Sequence, residues 1–159
     1  MEKEVLKQNT STERNDYIPT GVQKEFSVSC ESSEKQKSRV IYPVKKEFIR
    51  RIFDGTKAVE FRKAFCKKEI SSIILYESRG SGKVVGECQV VGKICSEPSK
   101  MWMLCKEYAG IEEEDFFAYF KGCSKACAYI LGDVNIFLSP KSLQDYGVKS
   151  APQNYVYVE

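Results

Sequence analysis

The sequence predicts an α+β fold: a small, mostly antiparallel β-barrel with helices packed on its outside. Three observations predict it. About six short segments alternate or cluster their apolar residues as strands do. One helix-like stretch comes early, and a pair of helical stretches falls together before the fifth strand. Strand and helix do not take turns along the chain, so a doubly wound parallel sheet does not fit.

Residues 1–37 are rich in Ser, Thr, Glu, Lys, Asn and Gln and hold no period. That is the composition of a disordered or loosely attached tail. The folded domain is expected over 38–159. Ser-Arg-Val-Ile-Tyr-Pro, residues 38–43, predicts the first strand. A basic helix is expected over 44–54, with Pro43 suited to its first turn. Val44, Phe48, Ile49, Ile52 and Phe53 recur at about 3.6 residues and form one face, while Lys45, Lys46, Arg50 and Arg51 fall mostly on the other. Gly55 suits the left-handed residue that ends a helix. The stretch 57–63 reads as a charged strand, with Val59 and Phe61 alternating against Glu60 and Arg62.

A basic loop containing Phe65 follows, then a buried strand over 70–76 and a flexible turn at 78–83. The glycines of that turn lack the spacing of a phosphate loop. A long strand is expected over 84–94, where Gly86 marks a bulge or a close backbone approach. Glu87 beside it points into a pocket or lies on the solvated side of the sheet. Met101, Leu104, Cys105 and Tyr108 make one helical stripe, and Phe116, Phe117 and Phe120 a second. Three glutamates suit the start of that second helix. Trp102 and Tyr119 flank the stripes, and the aromatic set reads as core. Residues 125–131 return as a strand, Gly132-Asp133 interrupts it, and 134–138 continues it. Ser139-Pro140 begins a short helical turn, and Tyr155-Val-Tyr-Val158 closes the fold.

Of 159 residues, 42% are hydrophobic and 30% charged, which is ordinary for a soluble globular protein. No run approaches the roughly 18 apolar residues of a membrane span, and the N-terminus lacks the apolar core of a secretory signal. A cytoplasmic protein without a membrane partner is expected. The chain has seven cysteines and no histidine. The odd count and the absence of Cys-x-x-Cys argue against a disulfide framework or a zinc site. No metal and no cofactor is expected. Acid–base chemistry would fall to lysine, carboxylate, tyrosine or cysteine.

The net charge of +3 is unevenly spread. Residues 39–69 carry 10 basic and 4 acidic side chains, whereas 107–115 carry five acidic and no basic ones. Lys57, Glu60 and Arg62 emerge together just beyond a helix end. They form a grip for an anionic or nucleotide-like ligand, or a solvated face. Arg50, Arg51, Lys63, Lys67 and Lys68 would add salt-dependent attraction to phosphates, and Phe65 or Tyr76 would stack on an unpaired base or pack in the core or a loop, a reading that suits Tyr76 better. The acidic stretch 111–121 reads either as a protein contact or as an ordinary helix start.

Gly55-Thr-Lys57 followed by Glu60-Phe-Arg62 resembles the Gly-x-Lys-x-x-Glu-x-Arg signature of ASCH domains, within the PUA-like superfamily. Gly86-Glu87, Tyr108-Ala-Gly-Ile, Phe116-Phe-Ala-Tyr-Phe-Lys-Gly122 and Ala151-Pro-Gln-Asn-Tyr155 are similar to a bacterial branch described as transcriptional regulators. The resemblance covers about residues 39–159. It implies a PUA-like β-barrel with a cleft beside the first helix, lined by Lys57, Glu60 and Arg62. It implies a module that binds nucleic acid, RNA before DNA, or a nucleotide. A smaller enzyme subgroup removes the acetyl group of N4-acetylcytidine with a lysine, a threonine three residues on, and a glutamate. Lys57 matches the lysine, but Glu60 stands where the threonine nucleophile should be. An amidohydrolase with Lys57 as base, and Glu60 or Glu87 positioning water or donating a proton, is the alternative.

Overall fold

The computed structural model describes residues 37–159. The tail expected over 1–37 lies outside them except for Lys37. Nine elements follow in order: β1 (Ser38–Lys45), α1 (Lys46–Phe53), β2 (Val59–Arg62), β3 (Ile70–Ser78), β4 (Val84–Ser96), α2 (Pro98–Cys105), α3 (Glu113–Tyr119), β5 (Ala126–Lys141) and β6 (Val156–Val158). Short 3-10 turns span Lys106–Tyr108 and Leu143–Tyr146. The six strands form one sheet in the order β2-β5-β4-β3-β1-β6, curled into a half-barrel. β1 and β3 run parallel; the other four pairings are antiparallel. The expected mostly antiparallel α+β fold is therefore the one observed.

β1 is the spine of the core because both of its faces are covered. Val40, Tyr42 and Val44 pack with Ile73, Leu75 and Cys88 beneath Ile49 and Ile52 of α1. Ile41 turns the other way and packs with Ile74, Val84 and Leu143. A strand covered on both sides reads as a continuous apolar run, as Val40-Ile-Tyr does. α1 seats closely on the sheet at Gly86, where a Cβ would lie 2.8 Å from the Asn135 carbonyl oxygen and 3.0 Å from the Phe53 ring. The mid-strand glycine is thus a close backbone approach.

Several boundaries differ from the sequence expectation. β1 continues through Pro43 and Val44 to Lys45, and α1 starts only at Lys46. Pro43 is opposite Tyr76 in the ladder. β6 pairs only with Arg39 to Ile41, so beyond Ile41 that edge of β1 needs no N–H. The charged strand is short, Val59–Arg62, and Glu60 on its presumed solvated face is 7% exposed. Finally, Gly132-Asp133 does not break β5, because β4 pairs with it on both sides of that point, at Leu131 and at Val134. Register shifts in the ladder absorb the irregularity there. Ser139 and Pro140 remain in the strand, and the 3-10 turn begins at Leu143, with Ser142 as its N-cap in a capping box with Asp145. Among the described residues no helix is long and apolar enough to cross a membrane.

Candidate functional site

The turn after α1 steers Lys57 inward. The Thr56 N–H donates to the Asp54 carboxylate at 2.9 Å, and the Lys57 N–H donates to the Arg51 carbonyl at 2.8 Å. The chain folds back on the helix end, and Lys57 enters the interior at 4% exposure. Its Nζ donates to the Ala109 carbonyl at 2.9 Å and sits 3.8 Å from Glu60 Oε2. The rings of Phe48 and Phe61 lie 5.4 and 5.1 Å from it, in cation–π range. Burial holds the Lys57 pKa below the ordinary lysine value. The Glu60 charge opposes that shift, and Arg62 and Arg51 add to it.

Glu60 is shared. Its Oε1 lies 2.8 Å from the Arg62 guanidinium. The Arg62 guanidinium carbon rests 3.9 Å above the Tyr42 ring, and its Nε is buried without a hydrogen-bond partner among the described residues. Tyr42 is fully buried and hydrogen-bonds with Cys66 Sγ at 3.0 Å. A stacked, ion-paired arginine of this kind is held in one orientation.

Lys57, Glu60 and Arg62 line a single cleft of about 400 Å³. Phe48 and Phe61 contribute to its walls, while Ile111, Asp115 and Tyr119 line it from α3 and the segment before it. Lys45 and Glu47 complete its charged groups, so three cations face three carboxylates. The cleft offers alternating donors and acceptors between aromatic faces and has little net charge. Sequence reasoning missed Asp115 and Tyr119, having read the latter as core. The signal was their i,i+4 spacing, which puts both on one helix face. Tyr119 is 39% exposed, burial raises its phenol pKa, and Lys63 lies over its ring at 5.3 Å.

The other expected site residues scatter. Glu87 is not brought to this cleft. Arg39 donates to it twice, at 3.0 and 2.8 Å, and Ser72 donates a third bond. Burial pushes the Glu87 pKa up, but the Arg39 and Ser72 bonds outweigh it and hold the carboxyl below its ordinary value. Its partners lie two residues from Ile41 and Ile74, on the side of the sheet away from α1. Arg51 donates to the Gly110 carbonyl at 2.8 Å and is a structural clamp. Arg50, Lys63, Lys67 and Lys68 are exposed. Phe65 and Lys68 line a second cavity of about 140 Å³ with Tyr129 and Lys93. Tyr76 packs against the Ile41–Ile74 core. No group of three or more Cys, Asp or Glu side chains among the described residues could hold a metal ion.

A family model described as a domain of unknown function, DUF365, matches residues 37–158. The chain belongs to the DUF365 family. Its fold is that of an ASCH domain: the crystal structure of ASCH from Zymomonas mobilis matches with a TM-score of 0.69 at 24% identity, over 76% of this chain and 87% of that one. A curated protein of Zymomonas mobilis, the ASCH domain-containing ribonuclease, is 30% identical over 88 residues, 55% of this DUF365 chain and 60% of that protein. The ATP synthase subunit alpha of Ureaplasma parvum is 22% identical over 128 residues, 80% of this chain. The DUF365 chain spans only 16% of that synthase subunit and 60% of the ribonuclease.

Proposed function

We propose that this DUF365 chain is an RNA-binding module that takes one unpaired base, or a free nucleotide, into the Lys57–Glu60–Arg62 cleft. The observation that carries the reading is the convergence of those three side chains in a hollow of about 400 Å³ between Phe48, Phe61 and Tyr119. Single-stranded RNA is read by stacking splayed bases on aromatic or guanidinium planes and hydrogen-bonding their edges. Glu60 supplies acceptors, and the Arg62 guanidinium supplies donors. The exposed Arg50, Lys63, Lys67 and Lys68 supply the salt-dependent attraction to phosphates. The ribonuclease name of a 30% identical relative supports RNA over DNA.

The test is a fluorescence anisotropy titration with a single-stranded RNA, the DNA of the same sequence, and free nucleotides. Tyr119→Ala should weaken RNA binding by about 1–3 kcal/mol if the ring stacks on a base. Arg62→Lys should also weaken it, because a point ammonium cannot replace the planar fork. Unchanged affinity in both folded variants would count against the cleft.

Lys57 favours a second reading, hydrolysis. A buried lysine with a depressed pKa is the form that acts as a base near neutral pH. Glu60, at the position of the threonine nucleophile in the acetylcytidine hydrolases, is held in ion pairs. Release of cytidine from N4-acetylcytidine, lost in Lys57→Arg, would establish this chemistry, and no release would remove it.

A further inference from the structure

β4 and β5 carry a pair of thiols that the cleft does not use. Cys95 and Cys127 are directly opposite in the antiparallel ladder. Opposed residues of such a ladder have Cα atoms about 4.5 or 5.5 Å apart, and both spacings lie within the range that a disulfide spans. The two Sγ atoms are 2.9 Å apart. That leaves less than about 1 Å to the bonded distance. Cys95 is exposed and Cys127 is buried. The neighbours of the pair are also informative. Cys127 is in register with Arg62 on its other side, and residues 96–126 between the two cysteines comprise α2 and α3.

We propose that Cys95 and Cys127 form a reversible cross-strand disulfide, with Cys95 the attacking thiol and Cys127 the resolving one. The oxidant is a soluble disulfide of the glutathione class. The Cys95 thiolate attacks one sulfur of that disulfide. A Cys95–sulfur bond forms, the small disulfide breaks, and one thiolate leaves and takes up a proton. Cys127 then gives up its proton and attacks Cys95 Sγ. The Cys95–Cys127 bond forms, the mixed disulfide breaks, and the second small thiol leaves. Two protein thiols are oxidised and one small disulfide is reduced to two thiols.

Accessibility sets the roles. Cys127 is covered and cannot meet a bulky disulfide, and burial with the Cys95 contact pushes its thiol up to about 12. It reacts only when the partner sulfur is delivered next to it, as Cys95 delivers it. The bond closes the base of the α2–α3 segment, which carries Asp115 and Tyr119. Oxidation therefore ties β4 to β5 at the two ends of the segment that carries α3.

The experiment incubates the full chain with glutathione disulfide, quenches in acid, alkylates free thiols and maps digested peptides by mass spectrometry. The expected product is a Cys95–Cys127 linked peptide that disappears on treatment with dithiothreitol. In Cys127→Ser, Cys95 should accumulate as a stable glutathione mixed disulfide. In Cys95→Ser, no glutathione should be found on Cys127. The proposal is overturned if the unaltered chain links Cys95 to Cys123 or Cys30, retains the mixed disulfide, or remains unmodified. Because the unaltered chain decides the outcome, a variant that fails to fold does not shelter the proposal.

Discussion

Glu60→Gln removes the one anion that separates two buried cations. In the parent, Glu60 stands 3.8 Å from Lys57 Nζ and 2.8 Å from Arg62, with side chains 9%, 3% and 15% exposed. At an effective dielectric of about 20, a unit pair at 3.8 Å is worth about 4 kcal/mol. Removing one partner of a buried ion pair typically costs about 3–5 kcal/mol, so the two routes agree. The loss has a ceiling, because Lys57 can shed its proton instead of remaining an uncompensated charge. The pH dependence follows from its depressed pKa. Between that value and the ordinary lysine value the unfolded chain binds the extra proton, so this group's contribution to stability rises with pH through the window. Once Lys57 is neutral in both proteins, its attraction to Glu60 no longer distinguishes them. Urea unfolding at neutral pH and again close to the ordinary lysine pKa should therefore show a loss of about 3–5 kcal/mol that shrinks toward the higher pH. A loss under about 1 kcal/mol at neutral pH, or one that does not change with pH, would refute the argument.

Two further variants probe the surroundings. Gly110 has φ of +57°, and a Cβ there would lie 2.4 Å from the Lys57 Cβ. Gly110→Ala should thus destabilise by about 2–4 kcal/mol in thermal or urea unfolding. Glu87→Gln breaks an Arg39 pair whose arginine side chain is 38% exposed. It should cost only about 1 kcal/mol and leave RNA affinity unchanged in the same anisotropy titration.

Much of the frame was legible because it is local. The 3.6-residue period of Phe48, Ile49 and Ile52, the Gly55 stop and the Val59–Phe61 alternation place the Lys57–Glu60–Arg62 trio without reference to the rest of the chain. What was illegible depends on partners distant in sequence. Pro43 reads as a helix start unless β6 is known to stop pairing at Ile41. Gly132-Asp133 reads as a break unless β4 is known to run alongside. Glu60 and Arg62 alternate as a solvated face would, and only the fold shows Arg62 stacked on Tyr42 of β1 with Glu60 held between Arg62 and Lys57. Tyr119 has the spacing of a core residue, and periodicity cannot tell a stripe facing protein from one facing a hollow. Cys95 and Cys127 are 32 positions apart and share no motif; the ladder alone pairs them.

Three successive carbonyl oxygens, those of Tyr108, Ala109 and Gly110, accept bonds from Ala58 N–H, Lys57 Nζ and Arg51 respectively. This clip joins the hinge point between α2 and α3 to the residues just before β2, so the helical segment cannot swing away as a lid without breaking all three bonds together. On the proposed reading, a guest enters through the mouth of the cleft. Access then needs only rearrangement of rim side chains such as Tyr119 and Lys63, a motion of nanoseconds, and no domain-scale opening of microseconds or longer.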